Sequence, residues 1–467
     1  MTTAEVVAEP HIPTFQLLLY SSPTLAISMV MMPLAFVIPA YYDANTAATL
    51  TMIGLISMAS RFLDAVTDPM IGWLSDRTRS PLGKRKPWII AGAIVTAIAL
   101  YKLFTPEASN GNTYYAVWSV LFFLGYTLVD VPQRAWGVEL AESYDERSRL
   151  SAYLTAFTVL GTFLFWLGML AQEPLTGTTE LNPDVFRWTA WFFVVLLPVM
   201  IMLAVIKVPD GRQLTVEVPT LASMFASFRG NRPLWRYVAA MAVWQIGNGI
   251  FTAVLYIVIG RYLLLSASFP IFLMTYSAVL FMSMPIWLRL IHIFGKHRVW
   301  AGSWAINAII PFAILLLEPG QQSFWPVVIL TGVQGFIAAG FHVVPMALLG
   351  DIVDYDILKT DVNRAGNYYA LYTLLYKFSN GAGLGIGLPL IAIFGYTADV
   401  VIEGTVKFGL LFTYLGLPLI FGLTAAWIIW GFPIDARRHA IIRKRIEQRA
   451  IRQARDAALA EQALGQQ

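Results

Sequence analysis

Apolar residues run along this chain in long blocks, without the alternating polar face of a helix that borders water. Twelve such blocks fall at roughly 15–41, 46–75, 87–106, 113–138, 150–171, 186–207, 235–262, 269–293, 298–317, 323–350, 366–394 and 407–432. Each meets the roughly 17–25 residues that a helix needs to cross a bilayer. Each is apolar all round, as required where lipid offers no hydrogen-bonding partner. The blocks are predicted as transmembrane helices and are numbered spans 1 to 12. Span 11 is the most interrupted, with Gly381, Gly383, Gly385 and Gly387 close together, a composition that permits tight helix contact or bending.

Composition agrees. Of 467 residues, 57% are hydrophobic and 13% charged, about half the charged share of a soluble protein. The absence of cysteine excludes disulfides and thiol chemistry. The net charge of +4 equals the surplus of eight Lys/Arg over four Asp/Glu from Asp435 onward, so the rest of the chain is balanced. No basic face for nucleic acid remains to be explained. The tail 433–467 reads as a basic cytoplasmic helix beside anionic lipid, or as a solvated tail with no specific partner. No cleavable signal peptide is expected, because residues 1–14 carry Glu5 and Glu9 but no Lys or Arg.

Basic residues sort onto one side. The loop after span 2 holds Arg77, Arg79, Lys84, Arg85 and Lys86, and that after span 4 holds Arg147 and Arg149. Segment 208–234 holds Arg212, Arg229 and Arg232; later even-numbered loops hold Lys296, Arg298, Lys359 and Arg364. The opposite loops are mainly acidic: Asp43, Glu107, Glu173, Glu180, Asp184, Glu318, Asp399 and Glu403. The excess of positive charge predicts the even-numbered loops and both termini in the cytoplasm of a cell inner membrane. The expected organisation is a short N-terminal segment 1–14, a six-helix bundle 15–207, a cytoplasmic linker 208–234, a second bundle 235–432 and the tail.

The halves resemble each other. Gly83-Lys-Arg-Lys-Pro-Trp88 matches Gly295-Lys-His-Arg-Val-Trp300 at an offset of 212; Val131-Pro132 matches Val344-Pro345 at 213, and Tyr144-Asp145 matches Tyr355-Asp356 at 211. A parallel repeat of two six-helix bundles is the major facilitator architecture, in which the halves enclose a midplane cavity and rock about it.

Ionisable groups inside the spans are costly and mark ion or substrate paths. Span 2 carries Arg61, Asp64 and Asp68 on one face; span 4 carries Asp130 and Arg134, four apart; span 11 carries Lys377. Two carboxylates one turn apart, with the hydroxyls of Thr67 and Thr127, are suited to an oxygen cage for Na⁺ or Li⁺. Alternatively one carboxyl of the close pair holds a proton. The competing reading is a neutralising salt-bridge network that only locks the bundle. Asp76, Arg77, Arg79, Gly83, Lys84 and Arg85 read as a cytoplasmic gate that bonds acids and helix ends while the bundles are closed on that side. Glu139, Asp145, Arg147 and Arg149, with Asp351, Asp354 and Asp356 of the other half, are its expected partners. His342, Tyr369, Tyr372 and Tyr376 are candidates to face the cavity.

The stretch from Arg61 through Asp64, Asp68, Pro69 and Gly72 to Asp76, Arg79, Gly83 and Trp88 resembles the glycoside–pentoside–hexuronide:cation symporter family, the melibiose permease type. Gly125 to Pro132, Asp145 to Arg149, Asp351 to Tyr355, and Lys377 support it. The resemblance implies a cation site from Asp64, Thr67, Asp68 and Thr127, for Na⁺, Li⁺ or H⁺. It implies substrate contacts from Tyr126, Asp130, Thr373 and Lys377. The chain departs from the family pattern in an apolar span 1, in Thr155 and His342, and in Arg134, whose charge favours an anionic substrate such as a hexuronide.

The expected function is therefore cation-coupled symport of a sugar, glycoside or uronide by a monomer working by alternating access, with no enzyme activity and no cofactor beyond the coupling ion. A lysolipid-like amphiphile or other organic anion is the alternative substrate. A transporter-like sensor is the alternative of another class, although residues 433–467 are too short for an added soluble domain. The five histidines are scattered, and no nucleophile or metal motif occurs.

Overall fold

A computed structural model describes residues 12–141, 143–171, 183–211, 228, 230–362 and 364–464. Arg212, Arg229, Glu173 and Glu180 lie outside them. The described residues are helical and contain no strand. The spans are Thr14–Phe36, Leu50–Arg77, Lys86–Phe104, Asn112–Leu140, Tyr144–Ala171, Pro183–Lys207, Arg232–Tyr262, Phe269–Phe294, Lys296–Leu316, Phe324–Thr360, Ala365–Ile393 and Gly404–Trp430, in chain order.

Among the described residues, eleven helices are long and apolar enough to cross a membrane. The twelfth helix is span 11, whose polar and glycine content lowers its hydropathy while its 29 residues suffice for length. Its glycines explain why it is helical in spite of them. An added Cβ at Gly381 or Gly385 would lie 2.6 Å from Arg61 Cβ or Met58 Sδ of span 2. At Gly383 and Gly387 it would meet span 7, 2.7 Å from Gly249 Cα and 3.2 Å from Ala253 Cβ. Alternating glycines thus seat span 11 between two helices at once, the small-residue packing that replaces the hydrophobic drive within lipid.

The neighbour pattern repeats with a step of six. Span 1 packs on spans 5 and 6, span 2 on 4, and span 3 on 4 and 6; span 7 packs on 11 and 12, span 8 on 10, and span 9 on 10 and 12. The halves meet mainly through spans 2 and 11, and also through spans 5 and 8 and spans 1 and 7. The turns share the repeat. Gly83 and Gly295 both adopt left-handed backbone, φ +87° and +85°, which only glycine enters cheaply. Each is followed by a basic residue held by an acid in the tail-side part of span 4 or 10. Arg85 reaches Glu139 at 2.9 Å and Lys296 reaches Asp351 at 2.6 Å. Glu139 and Asp351 are themselves 212 apart.

The tail forms helix Ala436–Leu464, started by Asp435, whose carboxylate accepts the Arg438 backbone N–H at 2.7 Å. That bond lowers the Asp435 pKa from its usual value. Its first turns dock on span 10: His439 lies 2.9 Å from Asp354 and 3.3 Å from Asp351, and Arg449 lies 3.3 Å from Asp361.

Candidate functional site

Span 2 is positioned by its contacts with spans 4 and 11, and its polar face lies between them. Asp64 is 1% exposed. Its Oδ2 is 3.8 Å from Arg61, an ion pair too long for a hydrogen bond. The Arg61 guanidinium rests 4.1 Å from the centre of the Phe123 ring. Asp68 Oδ2 accepts from Lys377 Nζ at 2.6 Å, across the boundary between the halves. Three buried oxygens beside this pair make no well-formed hydrogen bond: Asp64 Oδ2, Asp68 Oδ1 and Thr127 Oγ1, the last lying near the Asp64 carboxylate. Thr67 is buried too, and its hydroxyl donates to the Leu63 carbonyl at 3.1 Å. Buried oxygens left without donors carry an unrecovered desolvation cost. They fit a cation, and two carboxylates with neutral oxygens suit Na⁺ or H⁺. Among the described residues no cluster of three His, Cys, Asp or Glu is built for a tightly held metal.

On span 4, Arg134 donates to Asp130 at 2.9 Å, so the two charges neutralise each other one turn apart. Tyr126 lies on the same stripe, 5.9 Å from Lys377 Nζ. This stripe therefore faces the second half. The six intramembrane charges form three pairs, of which only Asp68–Lys377 joins the halves.

His342 and Tyr372 lie elsewhere. They border a cavity of about 390 Å³ at mid-depth, between spans 1 and 5 of the first half and spans 7 to 11 of the second. His342 is exposed to this space and Thr373 is exposed, its hydroxyl turned to the Tyr369 carbonyl at 3.1 Å. Tyr126, Asp130, Arg134, Thr373 and Lys377 are not among the lining residues. Charge-based reading missed Gln245, Asn248, Asn307 and Gln334, which do line it. The available signal was four amides inside otherwise apolar spans.

The gate residues sort by half. Arg85 bonds Asp76 and Glu139, and Ser75 at 2.8 Å; Lys86 bonds Asp210 at 3.0 Å. Arg77 stacks on Trp73, Arg147 donates to the Ala141 carbonyl at 2.9 Å, and Arg149 pairs with Glu146 at 2.6 Å. Arg79 and Asp145 are exposed, and Lys84 is half-buried beside Gly83. The expected pairing of this loop with Asp351 and Asp354 is not formed: those acids are held by Lys296 of the second half and His439 of the tail.

The reason is conformational. One buried apolar cluster runs the full depth of the first half and takes in second-half residues only at the end opposite the tail, while the second-half residues near the tail form a cluster of their own. Spans 2 and 11 touch from Gly54 and Pro389 through the stacked Phe62 and Phe378 to Asp68 and Lys377. The far end also brings Asp43 of the first half near Arg261 and Asp399 of the second. Burial pushes the Asp43 carboxyl up to about 6, opposed by Arg261 and reinforced by Asp399. The molecule is thus closed at the far end, and ion pairs at the tail end stay within each half.

Two similar six-helix bundles with a cavity between them and a half-buried cross-half ion pair are the build of a transporter, and similarity to known proteins agrees. The family model described as MFS/sugar transport protein matches residues 19–436. The chain belongs to this family. A putative glycoside/cation symporter of Escherichia coli K12, YagG, is 24% identical, with 89% of this chain and 91% of the relative covered. A sodium-dependent lysophosphatidylcholine symporter of Danio rerio is 22% identical, covering 84% and 80%. An uncharacterised symporter of Synechocystis is 23% identical, covering 85% and 90%. Among solved structures, the nucleoside transporter NupG superposes with a TM-score of 0.62 at 12% identity, over 90% of this chain and 98% of that one. The chain is a multi-pass membrane protein of the major facilitator fold and a secondary transporter, not an enzyme.

Proposed function

We propose that this member of the MFS/sugar transport family couples the inward movement of Na⁺, Li⁺ or H⁺ to uptake of a sugar or glycoside, a uronide included. The observation that carries the reading is the set of orphaned oxygens on Asp64, Asp68 and Thr127 beside the Asp68–Lys377 bridge. A cation there supplies Asp68 with the positive charge that Lys377 otherwise gives. Cation binding and the cross-half contact therefore compete for one carboxylate, which links the ion to the rocking of the halves. The protein works as a monomer in the cell inner membrane with both termini in the cytoplasm, as the distribution of basic loops supports.

Uptake into vesicles under imposed Na⁺, Li⁺ or proton gradients tests this. One gradient should drive accumulation, and equal uptake with none would overturn the coupling. A second reading, uptake of a lysolipid, is favoured by the apolar span 1, whose Met32 and Phe36 border the cavity. Competition by lysophosphatidylcholine but by no sugar would select it.

A further inference from the structure

The cavity between the halves, walled mostly by the second, has the His342 imidazole as its one basic group. None of its lining residues is Asp, Glu, Lys or Arg, although charged side chains lie nearby on spans 2, 4 and 11. Four amides converge on it from three helices: Gln245 and Asn248 from span 7, Asn307 from span 9 and Gln334 from span 10. Among the described residues none of these amide side chains bonds another protein group, and the Gln245 amide nitrogen is buried without a partner. Gln245 itself is 3% exposed. An amide in a membrane interior left without partners is costly unless something else satisfies it.

Aromatic faces complete the wall. Trp244 stacks on Trp304 with centroids 5.1 Å apart and planes 15° apart, and Phe341 lies 5.1 Å from Trp244. The indole N–H groups of Trp300 and Trp304, on the same wall, are also unpartnered. Amides offer both a donor and an acceptor, and hydroxyls on a ring require that mixture. Flat apolar faces beside a few convergent polar groups are the build of a site that orients a small amphipathic ligand. A carboxylate or phosphate would find no Lys or Arg here, only the His342 imidazole, and would be desolvated with little compensation.

We infer that this amide-and-aromatic pocket, walled mostly by the second half, binds an uncharged glycoside, with hydroxyls on Gln245, Asn248, Asn307 and Gln334 and an apolar ring face on the Trp244–Phe341 wall. The inference rests on the transport reading above and narrows its substrate class from sugars and uronides to neutral glycosides. The Arg134–Asp130 pair, already self-neutralised, is then a structural element near the path rather than an anion receptor.

The test is binding to the purified full-length protein, read by quenching of tryptophan fluorescence. The probes are phenyl β-glucoside, phenyl β-galactoside, phenyl β-xyloside, phenyl β-glucuronide and lysophosphatidylcholine, each with and without Na⁺. At least one neutral glycoside should bind about ten-fold more tightly than the glucuronide, and Gln245→Ala and Asn307→Ala should each weaken it by about ten-fold. Both variants should keep the thermal shift that Na⁺ produces, which shows that they fold. Asp68→Asn should lose that shift and keep glycoside binding without Na⁺, so failure of the coupling reading is seen separately. Tighter binding of the glucuronide, binding of lysophosphatidylcholine alone, absence of binding by every neutral glycoside, or unchanged affinity in both amide variants overturns the inference.

Discussion

At the scale of single residues, the decisive feature is how each intramembrane charge is balanced. Asp68 is balanced from the other half by Lys377, at 2.6 Å, while its second oxygen stays free. Asp68→Asn is expected to cut gradient-driven uptake at least about ten-fold while leaving expression near normal, since amide replaces carboxylate at nearly equal volume. Wild-type accumulation in that variant would remove Asp68 from coupling. Asp130 and Arg134 behave differently because both charges belong to one helix. Arg134→Ala alone strands a carboxylate inside the membrane region and should lower thermal stability. The charge-neutral pair Asp130→Asn with Arg134→Gln should recover most of that loss, because removing both charges also removes the desolvation cost. A double variant as unstable as the single one would mean that Arg134 acts through packing.

At the scale of helices, span 11 is the element on which both halves bear. Gly383 lies so close to span 7 that a larger side chain has nowhere to go. Gly383→Val should cost about 1–3 kcal/mol by overpacking, visible as a lower melting temperature in detergent. An unchanged melting temperature would show that spans 7 and 11 part easily. The short helix Ile38–Asn45 at the far end carries a pH-sensitive contact. Burial raises Asp43 from about 3.8 to about 6 in the closed form, where Arg261 and Asp399 face it. A carboxyl with a raised pKa binds its proton more tightly in the structure than in the open or unfolded chain. Its contribution is therefore present below about pH 4 and is lost as pH rises to about 6. Closure of the far end should weaken across that window, and Asp43→Asn should flatten the dependence. Fluorescent probes placed on the two halves at that end would report it, and an unaltered slope in Asp43→Asn would assign the effect to another group.

At the scale of the whole molecule, the halves are joined at the far end and along spans 2 and 11, and each half keeps its own ion pairs near the tail. The chain has no native cysteine, so a designed pair is free of side reactions. Met58→Cys with Gly385→Cys would set two Cβ atoms 2.7 Å apart across spans 2 and 11, nearer than the roughly 3.5–4.5 Å of a disulfide, so the bond forms once the two helices part by about 1 Å. Oxidation should stop uptake by holding the far end shut, and reduction should restore it. Transport undiminished after confirmed cross-linking would show that this contact stays closed through the cycle. The tail helix adds a clamp on span 10 through His439 and Arg449, so its basic charge is partly spent on the protein and only partly available to lipid.

Much of this was readable before any coordinates, and the reason is lipid itself. Because a bilayer forces every backbone group to be satisfied within its own helix, apolar run lengths counted the spans, and loop charges and the 212-residue offset disclosed two matching bundles. Residues at steps of three and four showed that Arg61, Asp64 and Asp68 share a face. Distance along the chain carries no information about which helices touch, so the pairing of Asp68 with Lys377, 309 positions away, came only from the packing. So did the choice of partners for Asp351 and Asp354, which depends on the end at which the bundles are closed. The amide-lined pocket was hidden for a related reason: amides scattered over spans 7, 9 and 10 look unremarkable singly and acquire a function only where three helices bring them to one wall.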